Sequence, residues 1–277
     1  QGGDARDYVQ RMHINAEGAQ WESLDTGLSQ ARGLAGVAAV SDDMYTFGGT
    51  PNYYRRTAFE SVEILNSRSE KWRTVAENVK MPKARYMHRV AACNGKIYIV
   101  GGCLSATTAA IAEVDVLDLS TNEWQPGPPL QEPRCRFGMA VDDSCIYLVG
   151  GTRKHPADIY SDAVYILDTR VDPLAWTAGP PCPTGREGLG AAAWNGMLYT
   201  AGGSKHGQES SAHFEIYDTK NRIWRESTPL PKSLDHTGTV ATADSVYVIG
   251  GSGRGVYSGG PGFEVNIFSK DTEKWSE

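Results

Sequence analysis

Four arginines, Arg32, Arg85, Arg134 and Arg186, each stand 16 residues before a Gly-Gly pair. A guanidinium repeated at a fixed register offers forked N–H donors that suit carboxylates and phosphates. Two residues after this register come Met87, Arg136 and His236, the last following Leu234, which takes the arginine's place in the final unit. Polar loops follow the glycine pairs. They carry Tyr53, Tyr54, Arg55 and Arg56, then Arg153, Lys154 and His155, then Lys205 and His206, then Arg254 and Tyr257. If equivalent positions lie on one ring, a single rim collects cations and aromatics, the residue types that most often anchor protein interfaces. The candidate partner-binding set is therefore Arg32, Tyr54, Arg55, Arg85, Arg134, Arg136, Arg153, Arg186, His236, Arg254 and Tyr257. On this reading, reversing Arg134 and Arg136 to glutamate weakens binding and leaves the Tm unchanged. The competing reading is that an arginine at a repeat-specific position pairs with a carboxylate of the neighbouring unit.

Catalytic chemistry finds less support. His13, His88, His155, His206, His213 and His236 are scattered over the chain, and only His206 and His213 approach a ligand spacing. Gly250-Gly251-Ser252-Gly253-Arg254-Gly255 matches neither a dinucleotide fingerprint nor a Walker A loop, and it precedes no helix. Asp118, Asp168 and Asp218 recur after equivalent strands, where short acceptors cap turns. The expectation is no enzyme, no catalytic residue, no metal and no cofactor.

The elements that position the rim follow from a repeat. Gly2-Gly3, Gly48-Gly49, Gly101-Gly102, Gly150-Gly151, Gly202-Gly203 and Gly250-Gly251 are spaced by 46, 53, 49, 52 and 48 residues. Trp21, Trp72, Trp124, Trp176, Trp224 and Trp275 follow in phase. Within one unit, Phe137–Val141, Cys145–Val149 and Val164–Leu167 read as strands separated by Asp142-Asp143-Ser144 and a polar loop, and Trp176 opens a fourth. Tyr45, Tyr98, Tyr147, Tyr199 and Tyr247 each stand three residues before a glycine pair. No long segment has helical period, so the chain is all-β, built of four-stranded antiparallel meanders. One such sheet has two apolar faces and must stack on its neighbours.

The Tyr-x-x-Gly-Gly, the Val-x-Val-hydrophobe-Asp and the following tryptophan, as in Val114 to Trp124, resemble the kelch repeat. The resemblance covers essentially the whole chain and implies a six-bladed β-propeller, here with five complete four-stranded blades and one partial blade. The expected divisions of this single propeller are 1–26 (partial), 27–80, 81–129, 130–180, 181–229 and 230–277, in what reads as an excerpt of a longer chain. In BTB-kelch proteins the corresponding loops and strand-entry arginines form the partner pocket, which points to Arg134, Arg136 and Arg186. The resemblance implies a substrate-recognition domain of a cullin-RING ubiquitin ligase adaptor that binds an acidic peptide or loop. Other kelch propellers bind or cross-link actin, and a few are enzymes of the oxidase or specifier type.

Composition sets the remaining bounds. The formal net charge is −6, which argues against nucleic acid as the partner of the whole surface. No apolar run approaches the roughly 18 residues of a membrane span. Five cysteines, an odd number without a C-x-x-C pair, read as reduced thiols of a cytoplasmic protein. Oligomerisation is expected to depend on domains outside this chain.

Overall fold

The computed structural model describes residues 6–13, 20–52, 57–75, 79–104, 109–153, 160–205, 209–253 and 264–276. Five of the six repeats fold into antiparallel meanders whose four strands pair in chain order. Blade one comprises Gly36–Val40, Asp43–Phe47, Val62–Asn66 and Lys71–Thr74. Blade two comprises Arg89–Cys93, Lys96–Val100, Val114–Asp118 and Glu123–Pro126, and blade three Gly138–Asp142, Cys145–Val149, Val164–Asp168 and Thr177–Ala178. Blade four comprises Gly190–Trp194, Met197–Ala201, Phe214–Asp218 and Ile223–Glu226, and blade five Gly238–Ala241, Ser245–Ile249, Val265–Ser269 and Lys274–Ser276.

The ring therefore has five blades, which corrects the six-bladed expectation. The sixth Gly-Gly and Trp signature, Gly2-Gly3 and Trp21, accompanies only a two-stranded hairpin, Arg6–Arg11 with Glu22–Arg32. Its register shifts between Arg6 and Tyr8 and again between Tyr8 and Gln10. Two irregular strands cannot form a four-stranded blade. Arg11 of the hairpin pairs with Glu70 of blade one, and the Ser29 amide donates to Glu63 at 2.7 Å. On the inner strands of the first and last blades Val37 and Val240 remain half exposed.

Between blades the core is assembled from the expected positions. Tyr98, Tyr147 and Tyr199 are buried, together with third-strand residues such as Val116, Leu167 and Ile216. Three tryptophans act as pegs to the preceding blade: the indole N–H groups of Trp176, Trp224 and Trp275 donate to the carbonyls of Pro128, Pro180 and Thr228 at 2.9, 3.0 and 2.8 Å. Replacing Trp224 by phenylalanine keeps most of the ring but strands the Pro180 carbonyl. The expected cost is about 1 kcal/mol, read as a lower urea midpoint at unchanged slope. Asp118, Asp168 and Asp218 cap turns as expected, their carboxylates accepting from the amides of Ser120, Arg170 and Lys220 at 2.9–3.0 Å.

The glycine pairs are required by geometry. Gly150 and Gly151 have φ of 69° and 88°. A Cβ on Gly150 would lie 2.6 Å from the Arg186 carbonyl of the next blade. Blades approach each other here through bare backbone, which only glycine permits.

Candidate functional site

The four register arginines turn inward. Arg32, Arg85, Arg134 and Arg186 are buried, and each donates to the carbonyl of the first glycine of its own pair, Gly48, Gly101, Gly150 and Gly202. Arg32 and Arg85 pair with Glu63 and Asp115 on the third strand of the same blade, and Arg186 pairs with Glu215 at 2.6 Å. In blade three the third-strand position is Tyr165. Arg134 lies over that ring at 5.7 Å and takes its carboxylate from Glu132 at 3.1 Å. In blade five Leu234 replaces the arginine and Asn266 occupies the position across from Val248 that the acids hold elsewhere. Burial draws the Arg32, Arg85 and Arg134 guanidinium groups below their ordinary values, against the pull of nearby acidic groups.

This arrangement corrects the expectation for these four arginines: they are internal struts that close a blade on its Gly-Gly turn. Repeat periodicity found them because the scaffold repeats. The signal that was missed is the acid inside an apolar strand, as in Val62-Glu63-Ile64-Leu65 and Phe214-Glu215-Ile216-Tyr217, where a carboxylate needs a buried cation.

The axial mouth is built two residues beyond the struts. Leu34, Met87, Arg136, Gly188 and His236 all adopt left-handed backbone, with φ between 55° and 65°. In this conformation they link neighbouring blades. The amides of Met87, Arg136, Gly188 and His236 donate to the carbonyls of Leu34, Met87, Arg136 and Gly188 at 2.9, 3.1, 2.7 and 2.7 Å. Holding a non-glycine residue in this region costs about 1 kcal/mol, comparable with what one such hydrogen bond contributes.

Polar chemistry gathers on one arc of this ring. Arg136 is also buried, donating to Glu187 at 3.0 Å and to the Met87 sulfur at 3.2 Å, so it too is held inside. Glu187 and Asp235 are buried at equivalent positions of blades four and five. The Asp235 carboxylate accepts from Ser252 at 2.5 Å and lies 3.3 Å from Nδ1 of His236. Burial pushes its pKa up, but its bonds to His236 and Ser252 outweigh this and hold it below the ordinary value. His236 is the member that reaches solvent, with a side chain 23% exposed. Its ring occupies the space beside Gly188, where a Cβ would meet it at 3.1 Å.

Of the loop residues, Arg153 is exposed and paired with Glu132 at 2.8 Å, while Tyr54, Arg55, Arg254 and Tyr257 lie outside the described residues. Other cations of this rim are balanced: Lys83 pairs with Glu113 at 3.1 Å and Lys232 with Glu264 at 2.7 Å. Among the described residues no cluster of three His, Cys, Asp or Glu is arranged to hold a metal, and no helix is long and apolar enough to cross a membrane.

The family model described as the KLHDC2/KLHL20/DRC7 Kelch-repeats domain matches residues 2–178, and a Kelch motif matches 185–231. The chain belongs to the kelch-repeat family. Among similar proteins, Kelch-like protein 35 of Mus musculus is 25% identical over 85% of this chain and 37% of its own length. Kelch-like protein 23 of Homo sapiens is 26% identical over 87% and 40%. Kelch repeat and BTB domain-containing protein 12 of Homo sapiens is 29% identical over 66% and 31%. This kelch propeller thus spans two fifths or less of the length of these relatives. Kelch homology gives it a general role in protein interaction.

The kelch propeller also superposes on a solved structure titled "Structure of YjhT", with TM-score 0.83 and 18% identity over 98% of this chain and 90% of that one. That superposition overturns the flat expectation of no enzyme. The likeness is one of fold, and the fold hosts unrelated functions, so its presence excludes no catalysis at the axial mouth.

Proposed function

We propose that this kelch propeller recognises a protein partner at its axial mouth and the surrounding loops, and that the partner presents an acidic peptide or loop. The observation that carries the reading is the polar arc, where His236 reaches solvent and is linked through Gly188 to Arg136. A rigid scaffold bearing the accessible His236 ring and the exposed Arg153 guanidinium suits capture of a short extended segment. The Kelch-like relatives, one with BTB in its name, support assigning the chain as the substrate-recognition part of a cullin-RING ubiquitin ligase adaptor, working in the cytoplasm. Actin is the alternative acidic partner, and cosedimentation with filaments separates the two.

Display selection of random peptides on the chain tests the charge preference. Acidic sequences should be enriched, and His236→Ala with Arg153→Glu should reduce their affinity about tenfold, equivalent to roughly 1.4 kcal/mol. Equal recovery of neutral and basic peptides would overturn the acidic preference.

A second reading, a propeller enzyme, is favoured by the Asp235–His236 pair beside Arg136–Glu187. A histidine oriented by a buried carboxylate can transfer protons. Turnover of a small polar substrate that is lost in both Asp235→Asn and His236→Ala would place it first.

A further inference from the structure

Cys103 and Cys135 face each other across the seam between blades two and three. The Gly102 amide donates to the Arg134 carbonyl at 2.9 Å, and this bond sets the next residue of each segment side by side. The same bond recurs at other seams, from Gly49 to Arg85, Gly151 to Arg186 and Gly203 to Leu234, at 3.0, 2.8 and 2.8 Å. It places Thr50 beside Tyr86, Thr152 beside Glu187 and Ser204 beside Asp235. Of these four seams, the one between blades two and three juxtaposes two thiols.

Both thiols are fully buried, in one cluster with Tyr86, Met87 and Ala110, and they are not disulfide-bonded. They hydrogen-bond to each other. That bond, with the Arg136 charge, draws the Cys103 thiol below the ordinary thiol value and leaves Cys135 well above it. The asymmetry suits one nucleophile and one resolving thiol. Cys182 contrasts with this, its thiol pushed up to about 12 by burial and donating to the Thr184 carbonyl.

We infer that Cys103 and Cys135 are a redox pair, oxidised by a small peroxide to a disulfide that ties blade two to blade three at the axial mouth. The Cys103 thiolate attacks hydrogen peroxide, forming a sulfenic acid and releasing hydroxide, which takes up a proton as water. The Cys135 sulfur then attacks the sulfenic sulfur. A second water leaves as the S–S bond forms, so the two thiols lose two electrons and two hydrogens to the peroxide. A disulfide needs a Cα separation of roughly 4.4–6.8 Å, and thiols already in hydrogen-bond contact on adjacent backbone segments need little movement to form one. Burial makes the first step depend on local opening of the seam, so oxidation is slower than for an exposed thiol. The resulting bond restrains the backbone at Arg136, the residue that follows Cys135.

The test is peroxide titration of the chain, quenching with N-ethylmaleimide, intact mass and peptide mapping. The expected product is lighter by the two hydrogens lost, with a Cys103–Cys135 cross-linked peptide that dithiothreitol releases and a Tm several degrees above the reduced form. Cys103→Ser and Cys135→Ser should each abolish the cross-link. If either serine variant fails to fold, the wild-type peptide map decides alone. Linkage through Cys93, Cys145 or Cys182, accumulation of a sulfinic acid at Cys103, or no change at peroxide concentrations that fully oxidise a free cysteine derivative would each overturn the inference.

Discussion

Replacing Arg186 by methionine should lower the unfolding free energy by about 3–5 kcal/mol, because it strands a carboxylate that has no access to water. Arg186 and Glu215 are both fully buried, and the guanidinium also serves the carbonyls of Gly202 and Thr184 at 2.6 and 2.8 Å and the Thr200 hydroxyl at 3.1 Å. Methionine fills much of the volume but offers no donor. In a chain of this size each kcal/mol moves the Tm by roughly 2–4 °C, so a drop of about ten degrees is expected. The double variant Arg186→Met/Glu215→Leu should recover most of the loss, since an apolar pair asks nothing of its surroundings. Blade five, with Leu234 and Asn266 at these positions, already does without the ion pair. Urea unfolding of the two variants settles the matter, and a single variant within 1 kcal/mol of wild type would sink the strut assignment.

The second large effect is on acid stability. His88 is fully buried between blades one and two, at the position that Phe137 and Leu189 fill in the next two blades. Neither ring nitrogen makes a well-formed hydrogen bond. Burial, helped by the charges of Arg85 and Arg89, depresses its pKa from 6.5 to about 3, with only the Phe47 backbone opposing. An unfolded chain binds a proton on this residue below pH 6.5, whereas the folded chain refuses it until about pH 3. The contribution is thus complete above pH 6.5 and erodes as the pH falls, by about 1.4 kcal/mol per unit inside that window. Between pH 7.5 and 4.5 wild type should lose roughly 2–3 kcal/mol more than His88→Phe, measured as urea midpoints at both pH values. Equal losses in the two proteins would mean that His88 is not held neutral.

The two effects show which parts of the structure were legible from residues alone. Glycine pairs, tyrosines and tryptophans announce the meander because each does one local job repeated per blade. The register arginines were equally visible, yet their role was not. Arg186 finds Glu215 only after two strands, a Gly-Gly turn and a loop have brought the third strand beside the second. A fixed register is what a repeated scaffold produces, so regularity by itself spoke for structure. The blade count failed for a related reason: Gly2-Gly3 and Trp21 carry the signature of a repeat but belong to a segment with two strands rather than four. At the mouth, His236 and Arg136 were identified by counting. Their buried partners Asp235 and Glu187 were not, since nothing in the chain before folding marks an acid that precedes a left-handed residue.

The ring of left-handed residues joins neighbouring blades through main-chain hydrogen bonds, to which the Arg136 side chain adds its bonds to Met87 and Glu187. Leucine, methionine, arginine, glycine and histidine all serve at one geometric position. What faces the mouth can therefore be exchanged, generation by generation, without renegotiating how the blades join. The inheritance of the scaffold and the divergence of its surface are assigned to different atoms of the same five residues.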